Sequence, residues 1–104
     1  MKYLAALLLS GCAVSPNTWV QDAPDFKLTR VEWNYISGPD AHQRMVNLCG
    51  DAPHLMGCAI RIRESGLCVV FSTYSEVQAM WVKTKDGMTL HQHESKHCNG
   101  WGHK

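Results

Sequence analysis

Three histidines and a glutamate near the end of the chain have the types and the spacing that metal-assisted hydrolysis needs. His93 and His97 lie four residues apart, which on a helix puts them on one face with Cβ atoms about 5–6 Å apart. Both could therefore bring a ring nitrogen to roughly 2.0–2.1 Å from one Zn²⁺. Glu94 is rotated from His93 by about 100°, so it would stand beside the metal as a candidate general base.

Gly100 and His103 complete this arrangement. Gly100 is expected to end the helix and turn the chain, which lets His103 return as a third protein ligand. Three protein ligands leave a fourth position open for water, as is typical of a catalytic zinc rather than a closed structural one. The spacing therefore predicts a zinc site with His93, His97 and His103 as ligands and Glu94 as the catalytic residue.

The stretch from His93 to His103 fills the pattern H-E-x-x-H-x-x-G-x-x-H and resembles the metal-binding motif of the metzincin clan of zincin metallopeptidases. The resemblance implies that the three histidines bind zinc and that Glu94 is the general base. It also implies a hydrolase that cleaves a peptide bond in a peptide or a protein. The peptide cross-links of peptidoglycan are a variant of this substrate for an enzyme that faces the periplasm. In such an enzyme the glutamate accepts a proton from water and passes it to the leaving amine.

In an alternative interpretation, the chain binds the metal but does not catalyse a reaction. A fourth protein ligand, such as His54 or His91, would close the coordination sphere and indicate a structural zinc. The chain would then be a non-catalytic envelope lipoprotein. An interaction or exclusion role for such a lipoprotein is a further alternative, which rests only on the size of the chain and on its expected lipidation.

The start of the chain has the composition of an export signal. Lys2 precedes an apolar run from Tyr3 to Leu9, which is too short to span a bilayer but is typical of a signal peptide. The tetrapeptide L-S-G-C, ending at Cys12, resembles the bacterial lipobox, in which the signal is cut before a cysteine that is then acylated. We therefore expect residues 1–11 to be a lipoprotein signal peptide and Cys12 to be lipidated.

The segment after Cys12 predicts a tether and a location. Residues 12–25 carry two prolines and several polar side chains, so they are expected to join the lipid to a domain formed by residues 26–104. Trp19 and Val20 either dock on that domain or start a first strand. Residue 13 is alanine rather than aspartate, which favours an outer-membrane anchor in the bacterial cell envelope, with the domain facing the periplasm.

The remaining cysteines predict two disulfides. Cys49, Cys58, Cys68 and Cys98 are even in number in a small exported domain, and such domains are commonly cross-linked. Of the three possible connectivities, which the sequence does not rank, we favour Cys58–Cys68 with Cys49–Cys98. Cys98 follows His97 by about 100° around the helix, so it is expected to form a disulfide rather than to bind the metal.

The elements that must position the site indicate an α+β domain. Residues 26–36 predict a strand, and residues 58–63 and 67–72 predict a hairpin with an edge strand and an inner strand. Asp40 and Gly50 bracket a helix, and Asp86 is expected to cap a last helix from about Gly87 to Cys98. Residues 74–84 fit a short strand or a flap. With the resemblance, this predicts a minimal zincin-like domain: a small antiparallel or mixed sheet, a backing helix and a C-terminal metal-binding helix, stapled by disulfides.

The charge of the chain excludes one class of partner. Ten basic and nine acidic residues give a formal net charge of +1, and the basic residues form no stripe, so nothing predicts binding to nucleic acid. The predicted cofactor is Zn²⁺. The predicted partners are the substrate and, through the lipid, the membrane.

Overall fold

The computed structural model describes residues 19–52 and 55–103, so the predicted signal peptide, Cys12 and His54 lie outside the described residues. The described residues form, in chain order, β1 (Trp19–Gln21), β2 (Arg30–Tyr35), α1 (Ala41–Cys49), β3 (Gly57–Ile62), β4 (Leu67–Ser72), α2 (Glu76–Ala79), α3 (Leu90–Cys98) and β5 (Trp101–His103). The strands form two sheets. The predicted mixture of helices and strands is therefore confirmed.

The larger sheet has the order β2-β4-β3. Its central strand β4 is antiparallel to β3 and parallel to β2. Side chains of β4 alternate between its two faces: Cys68 and Val70 are almost completely inaccessible on one face, whereas the residues between them are only partly buried. The predicted hairpin, with an inner strand and an edge strand, is confirmed. The strand predicted for residues 26–36 begins only at Arg30, and Leu28 packs against the core before the strand starts.

Gly66 closes the turn between β3 and β4. It has a φ of 74°, and its carbonyl accepts a hydrogen bond of 2.7 Å from the backbone N–H of Thr29. A Cβ atom at this position would lie 2.2 Å from the carbonyl oxygen of Lys27. The tight approach between the turn and the segment before β2 therefore depends on glycine.

We expect Gly66→Ala to lower the free energy of unfolding by roughly 2–4 kcal/mol, because it combines a positive φ with a backbone clash. Gly87→Ala is the matched control, since Gly87 has a φ of 84° but no atom within 4 Å of the added methyl group. Gly87→Ala should lower the free energy of unfolding by only about 1 kcal/mol, which is the cost of a positive φ for alanine. Urea denaturation measures both; equal losses would show that the contact with Lys27 is unimportant.

The helix α1 lies where the sequence predicts it, after Asp40 and before Gly50. Met45 anchors it by being completely buried. Asp40 makes no side-chain capping bond, and Gln43, three residues later, donates its amide to Asn47 within the helix. The amphipathic face rather than the cap therefore holds α1 in place.

The prediction for residues 74–84 is wrong, because Glu76–Ala79 form the short helix α2. Ser75 and Gln78 make a reciprocal capping box there, which stabilises a helix start that strand-like alternation does not reveal. The last helix also starts later than predicted. Thr89 and Gln92 form its capping box, so Asp86 is not the cap and its carboxylate is free for another contact.

The predicted disulfide pairing is wrong, since Cys49 bonds Cys58 and Cys68 bonds Cys98. The hairpin register explains the difference. Cys58 lies opposite Phe71 in β4, three residues from Cys68, which at about 3.4 Å per residue is a distance near 10 Å. Disulfides need Cα atoms within about 7 Å. The observed pairs instead tie α1 to β3 and α3 to β4.

The second sheet joins the two ends of the described chain. β1 pairs antiparallel with β5, with Trp19 opposite His103. Trp19 and Val20 therefore start a first strand, which was one of the two alternatives that the sequence left open. Arg61 on β3 links this sheet to the rest of the domain, because its guanidinium lies 3.1 Å from the carboxylate of Asp22 and donates to the carbonyl of His97.

Candidate metal centre

His93, His97 and His103 lie together in a geometry that suits a metal ion. Their ligand atoms are all within 4.8 Å of one another, and the Nε2 atoms of His93 and His103 are 3.3 Å apart. Two nitrogen ligands at roughly 2.0–2.1 Å from a tetrahedral zinc are separated by about 3.3 Å. The structure therefore contains a group of three histidines that could hold a metal ion.

Hydrogen bonds orient two of the three rings. Nδ1 of His97 lies 2.9 Å from the carbonyl oxygen of Trp101, and a carbonyl can only accept, so Nδ1 carries the proton. Nδ1 of His93 lies 3.1 Å from a carboxylate oxygen of Asp86. In both residues Nε2 is then left with a free lone pair, and imidazoles that bind metals are commonly held in this way.

Burial keeps the two helix histidines neutral. It is the main reason why the pKa of His97 is lowered to about 4 and why the pKa of His93 is also lowered. The hydrogen bonds to Trp101 and Asp86 act in the opposite direction, but burial outweighs them. At neutral pH both rings are therefore unprotonated at Nε2, which is the state that binds a metal.

The turn after α3 brings His103 back to the helix. Gly100 has a φ of 93°, and its carbonyl accepts hydrogen bonds of 3.0 Å from the backbone N–H groups of Asp22 and Ala23. A Cβ atom on Gly100 would lie 2.5 Å from the carbonyl oxygen of Ala23. Glycine at this position thus permits both the turn and the close approach of the segment that follows β1.

Trp19 packs against all three histidine rings. The centroid of its ring lies 5.1 Å from that of His93, 5.0 Å from that of His97 and 4.5 Å from that of His103. The ammonium of Lys96 lies 5.3 Å from the centre of the same indole. The indole shields one side of the histidine group from water and restricts the rotation of its rings.

Glu94 is buried beside the histidines, and one of its two carboxylate oxygens has no hydrogen-bond partner among the described residues. Its side chain is 2% exposed, and its Oε1 atom accepts no hydrogen bond from any described residue. Burial raises its pKa to about 8. Gly57 on β3 makes room for it, since a Cβ atom there would lie 3.3 Å from Oε2 of Glu94 and 3.0 Å from the carbonyl oxygen of Phe71.

A cavity of about 510 Å³ adjoins these residues. Its wall includes the three histidines and Glu94, and an apolar part contributed by Leu55, Met56 and the Cys49–Cys58 disulfide. This volume is in the range of small-molecule and peptide side-chain sites. Trp19 is not among the described residues that line it. The glutamate and the histidines are thus reachable from one common space.

Asp86 is a residue of the site that the sequence did not reveal. Its carboxylate accepts from Thr84 and from the backbone N–H of Met88, and the same contacts lower its pKa against the effect of burial. Its side chain is 6% exposed. A carboxylate held in this way is ionised at neutral pH, so it fixes the tautomer of His93.

We expect Asp86→Asn to weaken zinc binding by roughly 10- to 100-fold, the usual cost of losing a carboxylate that orients a ligating histidine. Competition with a zinc-binding dye measures the dissociation constant. Glu76→Gln is the control, because Glu76 makes a similar contact of 3.3 Å with His91 away from the group of three. An unchanged affinity in Asp86→Asn would mean that the contact does not tune the ligand.

The other histidine on α3 takes no part in the group. The ring of His91 stacks on Trp33 with a centroid distance of 5.6 Å, and its Nε2 atom faces Glu76. It lies on another side of the helix, as its offset of two residues from His93 requires. Within residues 19–52 and 55–103, the one metal-ligand group is that of His93, His97 and His103.

No protein-family model, curated protein or solved structure matches this chain. Among the described residues, no helix is both long and apolar enough to cross a bilayer.

Proposed function

We propose that the chain is a zinc-dependent hydrolase and that the bond it cleaves is a peptide bond. One observation carries this proposal: Glu94, a buried carboxylate with one oxygen that has no partner among residues 19–52 and 55–103, lines the same cavity as three histidines whose ligand atoms converge. A buried carboxylate without a hydrogen bond is costly. Such a cost is usually found where the group acts on a ligand or a substrate.

The chemistry follows from the residues around the cavity. Zinc held by the three histidines would supply a Lewis acid that polarises a carbonyl and lowers the pKa of water from 15.7 to about 7. Glu94 would accept the proton of the attacking water and give it to the leaving amine. Its raised pKa in the metal-free state would fall beside a bound cation, so the carboxylate would be ionised and able to act as a base.

The substrate class and the location complete the proposal. The resemblance of the histidine motif to the metzincin pattern favours a peptide or a protein as substrate, and a location facing the periplasm would add the peptide cross-links of peptidoglycan. The apolar side of the cavity, with Leu55 and Met56, would take an apolar side chain next to the scissile bond. Two disulfides fit an oxidising compartment, in agreement with an envelope lipoprotein anchored through Cys12.

Zinc stoichiometry is the experiment that tests the site. The oxidised chain starting at Ala13 contains every described element, and elemental analysis should find one zinc per chain. His97→Ala and His103→Ala should each lose it, because each removes one of three ligands. His42→Ala is the control, since His42 is an exposed residue of α1. The proposal would be overturned if the unmutated chain held no zinc, or if His103→Ala held as much zinc as the unmutated chain.

A non-catalytic lipoprotein with a structural zinc is the second candidate, and the position of Trp19 favours it. A metal bound by His93, His97 and His103 would join α3 to β5, and Trp19 of β1 packs on all three ligands. Metal binding would then stabilise the fold rather than catalyse a reaction. One zinc per chain, with no hydrolysis of peptide or peptidoglycan substrates, would favour this candidate.

A further inference from the structure

An apolar surface lies on the short helix α2 and the turn that follows it. Its side chains are Val77, Met80 and Trp81, which we call the α2 patch. They are 69%, 48% and 78% exposed. Their spacing of three and four residues places them on one side of a helical turn. Exposed apolar side chains grouped in this way mark contact surfaces more often than single exposed residues do.

The patch is held rigidly in its exposed position. The capping box of Ser75 and Gln78 fixes the start of α2, and Ala79, on the other side of the turn, is completely buried. The backbone N–H of Trp81 donates to the carbonyl of Gln78 at 2.9 Å. The indole is therefore presented to solvent by a fixed backbone and not by a frayed end.

The charged residues beside the patch are two lysines and one glutamate, Glu76, which precedes Val77 and is 52% exposed. Lys83 and Lys85 follow it in the sequence and are both exposed. The two acidic residues closest in sequence, Glu76 and Asp86, each contact a histidine ring. The surface therefore combines three apolar side chains with two lysines that have no acidic residue between them in the sequence.

We propose that the α2 patch docks the domain onto the surface of an anionic lipid bilayer. Tryptophan favours the boundary between water and lipid because its ring is apolar and its N–H is polar, and lysines beside it attract acidic headgroups. Three side chains are too few for a stable protein interface, which needs about 800 Å² from each partner. A few inserted apolar side chains with neighbouring lysines do suit an interfacial contact.

The expected lipid anchor makes this contact accessible, and this step rests on the proposed lipidation of Cys12. Seven residue steps separate Cys12 from Trp19, and an extended chain of that length reaches roughly 25 Å. The domain would thus stay close to the bilayer, where weak contacts are effective. Lys85 also lines the cavity, so docking would hold the cavity opening near the membrane surface.

Vesicle binding tests this proposal without the lipid anchor. The chain starting at Ala13 is mixed with vesicles of phosphatidylethanolamine and phosphatidylglycerol, and the bound fraction is measured by sedimentation. Val77→Ser/Trp81→Ser should weaken binding by roughly tenfold or more. Lys83→Gln/Lys85→Gln should weaken it by about fivefold per lysine and should remove the preference over vesicles of phosphatidylcholine.

Matched variants control for apolar area and for charge. Tyr35→Ser removes another exposed side chain, 55% exposed on β2, and Lys27→Gln/Arg63→Gln makes the same change in net charge at exposed positions elsewhere. Both should bind as the unmutated chain does, and so should the zinc-deficient His103→Ala variant, which separates docking from the metal site.

Three results would overturn the proposal. The unmutated chain could fail to bind the vesicles, or the control variants could weaken binding as much as the patch variants do. The unmutated chain could also form dimers without binding vesicles. If Val77→Ser/Trp81→Ser lost these dimers, the patch would be an interface with a second copy of the chain. All the substituted side chains are exposed, and equal thermal unfolding temperatures would show that every variant folds.

Discussion

Glu94→Gln is expected to reduce the kcat of hydrolysis by roughly 10²–10⁴-fold, the usual contribution of a positioned general base. Glutamine keeps the size of the side chain but cannot accept a proton from water. Zinc should remain at one ion per chain, because Glu94 does not belong to the group of three histidines. Steady-state kinetics on peptide substrates and elemental analysis of the same preparation measure the two effects together.

Glu76→Gln is the control for this substitution. It makes the same chemical change at an exposed position that contacts only His91 among the histidines of the described chain. Its kcat should equal that of the unmutated chain. Retained hydrolysis in Glu94→Gln would remove Glu94 from the mechanism, whereas loss of hydrolysis together with loss of zinc would show a structural role instead.

In the metal-free protein, in the presence of a chelator, Glu94→Gln should also change how the free energy of unfolding depends on pH. The pKa of Glu94 is about 8 in the folded state, against an ordinary value of 4.5. Between these values the unfolded chain has released the proton that the folded chain still holds, so stability falls as pH rises. His97, whose pKa is lowered, has the opposite effect only below its ordinary value of 6.5. From pH 6.5 to 8, the free energy of unfolding of Glu94→Gln should therefore decrease less with pH than that of the unmutated chain.

Removing the Cys68–Cys98 disulfide is expected to have the largest effect on stability. It closes a loop with a sequence separation of 30 residues, which corresponds to roughly 3–4 kcal/mol of loop entropy. Both cysteines are completely buried, so Cys68→Ala/Cys98→Ala also leaves a small cavity. In a domain of this size, whose stability is about 5–15 kcal/mol, much of the folded population should be lost. Urea denaturation in the presence of a chelator measures the change.

Cys49→Ala/Cys58→Ala is the matched control. Its loop has a sequence separation of 9, so the expected loss is only about 2–3 kcal/mol. Zinc affinity should separate the pairs further, since Cys98 follows His97 directly and fixes α3 on β4, whereas the other pair ties α1 to β3 and includes no residue adjacent to a histidine of the group. Equal effects on stability and affinity would contradict this ranking.

Local features of the sequence were sufficient for several elements. The helix between Asp40 and Gly50 and the hairpin of β3 and β4 were predicted correctly, because caps, turns and side-chain periodicity act over a few residues. The start of α3 was predicted wrongly although Thr89 and Gln92 carry the signature of a capping box. The sequence contains this capping box, but Asp86, which is also a common helix-capping residue, lies three residues earlier and predicts an earlier start.

The convergence of the histidines was also readable from local spacing. His93 and His97 are one helical turn apart, and Gly100 provides the turn after the helix. His103 then needs only a short strand to reach the helix again. The spacing therefore predicted which three rings would lie together, and their ligand atoms are within 4.8 Å of one another.

The sequence by itself thus determined the contacts that one helix and one turn can make. Only the tertiary structure decided the disulfide pairs, the carboxylate that orients His93 and the indole that covers the histidines. The register of β4 separates Cys58 from Cys68, and Trp19 reaches the site because β1 pairs with β5. Such contacts depend on the register of strands and on packing between distant segments, which no local pattern of side chains specifies.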